Sequence, residues 1–147
     1  MKRLGILFVC FATMAMTSCG MLQNVSSSNA LAQASGQACG TAVLGLYSSY
    51  KTTGKLDLTN ATNFSNALAL ASAYSQLQQN KDNSAYRSAF TTGLIASSAG
   101  LVTTANATSF LDKLLGTTAL GSISAERVTQ TASTAMAIIT LLNALKQ

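Results

Sequence analysis

The segment Gln37–Lys51, QACGTAVLGLYSSYK, decides the fold. Its apolar residues Cys39, Ala42, Val43, Leu46, Tyr47 and Tyr50 stand at offsets 0, 3, 4, 7, 8 and 11, one face of a helix that turns every 3.6 residues. A half-buried strand would alternate, and this segment does not. Thr52-Thr53-Gly54 follows, so the helix is expected to close with Gly54 in the left-handed conformation.

The same period recurs downstream. Thr62 to Gln79 predicts a second helix with Ala67, Leu70, Ala71, Tyr74 and Leu77 on one face, widened by Phe64 and Leu68. Between the two helices, Lys55 to Thr59 (KLDLT) alternates and is expected as an extended connection, because one short strand cannot make a sheet. Asn80-Lys81-Asp82-Asn83 is a polar turn, with Asp82 or Asn83 placed to cap a third helix from about Ser84. That helix carries Tyr86, Phe90, Leu94 and Leu101 in a stripe, and Gly93 and Gly100 beside it. Interior glycine costs about 1 kcal/mol relative to alanine, so the two imply a close helix approach or, at Gly100, a helix end.

A short fourth helix is expected over Ser109–Leu115 with Phe110, Leu111, Leu114 and Leu115, followed by a loop over Gly116–Gly121. The last helix opens near Ser122 or Ser124, with Glu126 in the first turn where the dipole favours an acid, and runs to about Lys146. Its expected buried row is Val128, Ala132, Ala135, Ile139 and Leu142, with Ile138, Leu141 and Leu145 beside it. Proline is absent and no set of strands emerges, so the fold class is all-α: a compact antiparallel bundle of four or five helices over residues 36–147. Asn60-Ala61-Thr62-Asn63-Phe64 resembles Asn106-Ala107-Thr108-Ser109-Phe110. Either a helix hairpin is duplicated, or two helix starts converged on the same capping residues.

Ahead of the bundle, Gly20 to Ser35 is uncharged and rich in Ser, Asn, Gln and Ala, and reads as a tether. Before it stands KRLGILFVCFATMAMTSC, Lys2 to Cys19: two cations, an apolar run from Leu4 to about Ala15, then small residues and a cysteine. This is the layout of a secretory signal. Its apolar run is short for a hydrocarbon core that needs about 20 such residues. Met16-Thr17-Ser18-Cys19 resembles the lipobox of bacterial lipoproteins, with Met16 where Leu is usual, and Thr-Ser-Cys after a short apolar run resembles the lipoproteins of the Bacteroidota. The resemblance implies cleavage before Cys19, diacylation of its thiol and acylation of the new amino group. It also implies an outer-membrane address, since Gly20 rather than Asp follows Cys19; without an acidic run after it, the periplasm-facing leaflet is expected.

With residues 1–18 removed, 129 of 147 residues remain, enough for one domain. The loss of Lys2 and Arg3 leaves seven cations against four acids, a net charge of +3. The seven are scattered rather than striped, so no nucleic-acid partner is expected. Cys10 leaves with the signal and Cys19 is acylated, so Cys39 has no intramolecular disulfide partner. Small neighbours make it a buried hydrophobe, with an intermolecular disulfide as the alternative.

No histidine is present, which removes the usual general base and the commonest metal ligand. Asp57, Asp82, Asp112 and Glu126 sit at expected loops and helix ends, where capping accounts for them. No Gly-x-Ser-x-Gly and no phosphate-binding glycine loop occurs. Tyr47, Tyr50, Tyr74 and Tyr86 fall on helix faces, either as a ligand groove or as boundary core with hydroxyls reaching water or a carbonyl. The expectation is therefore a non-enzyme without catalytic residues, cofactor or metal. It is held to the membrane by acyl chains on Cys19 and has a structural role or an envelope protein partner. The alternative is a helical module that perturbs or inserts into bilayers.

Overall fold

The computed structural model describes residues 28–123 and 131–146. Five α-helices appear there: α1 Ser28–Thr53, α2 Ala61–Gln79, α3 Ser84–Ser97, α4 Ala107–Gly116 and α5 Thr131–Asn143. Tight helical turns occupy Thr118–Ser122 and Ala144–Lys146. Among the described residues there is no strand, and the helices pack as an all-α bundle.

α1 is the longest element and starts earlier than the periodicity indicates. The expected boundary between tether and domain at 35/36 falls inside it, so 28–35 belongs to the helix; 20–27 lies outside the described residues. Those eight residues, SNALAQAS, show no apolar stripe, yet alanine and glutamine favour helix, and Ala32 is fully buried. Gly54 ends the helix as expected: its φ is +68° and its N–H donates to Tyr50 O at 2.8 Å.

α3 provides the main packing surface for α1, and α2 the next. The α1–α3 seam is made of small residues. A Cβ at Gly36 would meet the backbone of Phe90, with Leu94 N at 3.0 Å. One at Gly40 would meet Ser97 Oγ, with Leu94 O at 2.7 Å, and one at Gly93 would meet Gln33 O, with Gln37 N at 2.9 Å. Ser97 Oγ donates across the seam to Gln37 O at 2.9 Å. The two backbones touch, and the bulk comes from neighbouring buried residues: Cys39, Val43 and Leu46 on α1, and Tyr86, Phe90 and Leu94 on α3. Residues 36 and 40 pair with 90–94 and 94–98, so α1 and α3 run parallel with α2 antiparallel between them in sequence.

The helix starts differ in chemistry. Asn60 caps α2, its Oδ1 accepting from Thr62 N at 2.9 Å and Asn63 N at 3.2 Å. Asn83 caps α3 by accepting from Tyr86 N at 3.0 Å. Asn106, expected to cap α4 as Asn60 caps α2, faces backwards: its Oδ1 accepts from Thr103 N at 2.7 Å and its Nδ2 donates to Leu101 O at 3.1 Å, with no side-chain bond to α4. The two similar pentapeptides therefore do different work. Phe110 is buried in the core and Phe64 is half-exposed.

The KLDLT connection is not a strand. Leu56 and Leu58 both turn inward to close one end of the core, and Asp57 between them stays exposed. After α3, Ser98 is fully buried, with its hydroxyl accepting from Val102 N at 3.1 Å, and Ala99 and Gly100 turn the chain at φ +50° and +84°. Gly100 thus marks a helix end, and Gly93 a close approach. α4 spans Ala107–Gly116 rather than Ser109–Leu115, and the expected loop at Gly116–Gly121 contains the 118–122 turn, which buries Leu120.

α5 is rotated relative to the expected row. Thr134, Ile138, Leu141 and Leu142 are buried, Ala132 is exposed, and Ala135 and Ile139 are half-buried. The helix is apolar on most sides, so spacing alone did not choose a face. Glu126 and Val128 lie outside the described residues.

Candidate functional site

The single residue to which sequence analysis assigns a chemistry, Cys19, lies outside the described residues. Its connection to the fold is nevertheless short: eight residues, 20–27, separate it from Ser28 at the start of α1.

Within the bundle, the candidate groups separate rather than gather. Asp57 forms a local turn with Thr59, whose N–H and hydroxyl donate to Oδ1 at 2.9 and 2.6 Å. The Thr59 hydroxyl, then its backbone N–H, hold the carboxyl below the usual carboxylate range. Asp112 on α4 pairs with Arg87 on α3 at 3.5 Å on an accessible surface, a bond contributing about 0–1 kcal/mol. Asp82 sits in the 80–83 turn. Among the described residues, no three of His, Cys, Asp and Glu come together as metal ligands. Cys39 is fully buried in the core, where loss of hydration pushes its thiol from 9.0 up to about 12.

The tyrosines divide by depth. Tyr47 and Tyr50 are half-buried on the second half of α1. Tyr74 is buried, and its hydroxyl accepts from Gln78 Nε2 at 3.0 Å; the same amide donates to Leu115 O at 3.0 Å, linking α2 to the end of α4. Tyr86 is 1% exposed and packs on Phe90 with ring centroids 6.5 Å apart, but its buried hydroxyl has no partner. No carbonyl of the described residues reaches the Tyr86 hydroxyl.

The concave surface nearest these groups is an open groove of 480 Å³ between α2 and the 118–122 turn. Leu68, Leu120 and Ile123 give it an apolar floor, and Ser72, Ser75 and Gln79 a polar rim. Tyr74 is the one titratable residue in its lining. This chemistry suits contact with an apolar or amide-bearing surface. A second groove of 450 Å³ lies between the ends of α4 and α5, with Lys113, Thr117, Thr140 and Asn143 around it. Sequence reasoning placed Tyr74 on a buried face but missed Leu120 and Ile123 as groove residues. Their spacing of three was the available signal, but Leu120 lay in the stretch read as loop and Ile123 at the expected opening of the last helix.

No protein-family model matches the sequence, and neither a curated protein nor a solved structure matches the chain. Among the described residues, no helix is long and apolar enough to cross a membrane.

Proposed function

We propose that this is a lipid-anchored envelope protein with a non-enzymatic role, structural or in binding another protein, at the periplasm-facing leaflet of an outer membrane. The observation that carries the reading is the run Lys2–Cys19, with its cations, short apolar core and Met16-Thr17-Ser18-Cys19. Two or more acyl chains on Cys19 anchor stably, each buried CH₂ contributing about 0.8 kcal/mol. Grooves lined by leucine, serine and amide side chains support contact as the mode of action. Acyl labelling in the native host tests the anchor: Cys19→Ser is expected to lose label and accumulate precursor, and normal labelling of that variant overturns it. Affinity capture from native membranes tests the role. Recovery of the protein alone under several growth conditions contradicts a stable-partner role.

A second reading, insertion into bilayers, draws on α5. Its 13 residues carry no charge, and Met136 is 64% exposed on its outer side. Release of dye from vesicles by a soluble Gly20–Gln147 chain at micromolar concentration would favour this reading, and no release would remove it.

A further inference from the structure

The bundle has two geometrically distinct ends. One end collects the start of α1, the 80–83 turn and the start of α3, because α1 and α3 run parallel and the turn joins α2 to α3. The ends of α4 and α5 join them there: Gln78 bonds Leu115 O, Arg87 pairs with Asp112, and the 450 Å³ groove brings Lys113 and Thr117 to Thr140 and Asn143. The opposite end holds the 54–60 connection, where Leu56 and Leu58 are buried; the 98–106 turn lies part-way along α1, since Gly40 faces Ser97 and Ser98 and α1 runs on to Thr53. The exposed residues of the 54–60 end include Lys51, Thr53, Lys55, Asp57 and Thr59.

We infer that the first end is held toward the lipid surface and that the 54–60 end points away from it, an orientation that rests on the lipid-anchor reading above. Eight residues separate Cys19 from Ser28. Eight residues reach at most about 30 Å. α1 has 26 residues and is therefore about 39 Å long at 1.5 Å per residue. Standing the bundle on its 54–60 end would lift Ser28 about 39 Å above the bilayer, beyond the reach of the connection. A tether running to Ser35, as sequence alone indicates, would stretch to roughly 55 Å and allow either orientation. The helical state of 28–35 is what makes the difference. The far end presents hydroxyls together with Lys51, Lys55 and Asp57 to the aqueous space.

The test uses the full lipidated chain in phosphatidylethanolamine–phosphatidylglycerol vesicles carrying an acceptor dye on the headgroups. A donor dye is placed on Ser84→Cys or on Lys55→Cys, both exposed positions; buried Cys39 stays unreactive. Energy transfer is expected to be several-fold higher from Ser84→Cys. Inserting a further sixteen Gly/Ser residues after Ser26 is expected to shrink that difference. Equal transfer from the two sites, higher transfer from Lys55→Cys, or a difference indifferent to the insertion overturns the orientation. Acyl labelling of the same samples separates the two readings: absence of label on Cys19 removes anchor and orientation together, whereas label with equal transfer removes the orientation alone.

Discussion

The seam between α1 and α3 and the helix α5 represent opposite ways of joining a bundle. The seam is lined by Gly36, Gly40, Gly93 and Ser97, residues with almost no apolar surface, and it is the tightest packing between helices in the described fold. α5 is the most apolar helix, yet it touches the others sparsely and leaves Met136 in solvent. Hydrophobicity measures what a helix gains by leaving water. It does not measure how near another backbone can come, which side-chain size controls. Here the poorly hydrophobic faces approach most closely, and long side chains beside them seal the contact.

This contrast is most severely strained by filling the seam. Gly36→Ala gains about 1 kcal/mol of helix propensity, but its methyl meets the immovable backbone of Phe90. A net loss of about 3 kcal/mol is expected, at the upper range of overpacking, read from the urea midpoint. An unchanged midpoint would show that α1 and α3 separate at little cost. On α5, Ile138→Ala is expected to cost about 2–3 kcal/mol, while Met136→Ser stays within about 0.5 kcal/mol. Equal effects would show that α5 is not docked through the face that buries Ile138.

A smaller effect of opposite sign is expected at the base of α3. Tyr86→Phe removes a buried hydroxyl without a partner, a group whose burial costs about 1–3 kcal/mol. Thermal denaturation should show a gain of about 1 kcal/mol, since the ring stays on Phe90. Destabilisation would reveal a role for the hydroxyl.

Cys39 reports on the seam through pH. Its folded pKa of about 12 lies above the ordinary 9.0, so the unfolded chain releases this proton first. The contribution is complete below 9.0 and is lost as pH climbs toward about 12. Denaturant midpoints for the native chain and Cys39→Ala should therefore converge over that window. Parallel curves would mean that the thiol is hydrated in the folded state.

Much of the bundle was legible beforehand because amphipathic spacing and punctuation agree. Cys39, Ala42, Val43 and Leu46 are buried, as are all five residues expected on the α2 face. Asn83 and Gly54 cap as their types require. Three features were not legible. The 28–35 stretch lacks an apolar stripe, since its packing partner is the backbone around Gly93. The face of α5 was ambiguous because nearly every side is apolar. The backward orientation of Asn106 follows from the 98–106 turn, where its side chain serves Leu101 and Thr103. Of the groove, Tyr74 was visible as a core position; its joining with Leu120 and Ile123 depends on a turn that carries no helical period.

By itself the sequence determined the all-α class, a bundle of four or five helices and several of their ends, and it carries the Lys2–Cys19 run on which the proposed anchor rests. These rest on local information: a 3.6-residue repeat, cap chemistry and the order of charge, apolar run and cysteine. Only the tertiary structure decided that α1 begins at Ser28, that glycines form its closest contact, and that the Tyr86 hydroxyl is left unpaired. Those outcomes depend on what lies opposite each residue, sixty positions away in the case of Gln37 and Ser97, and no local pattern records it.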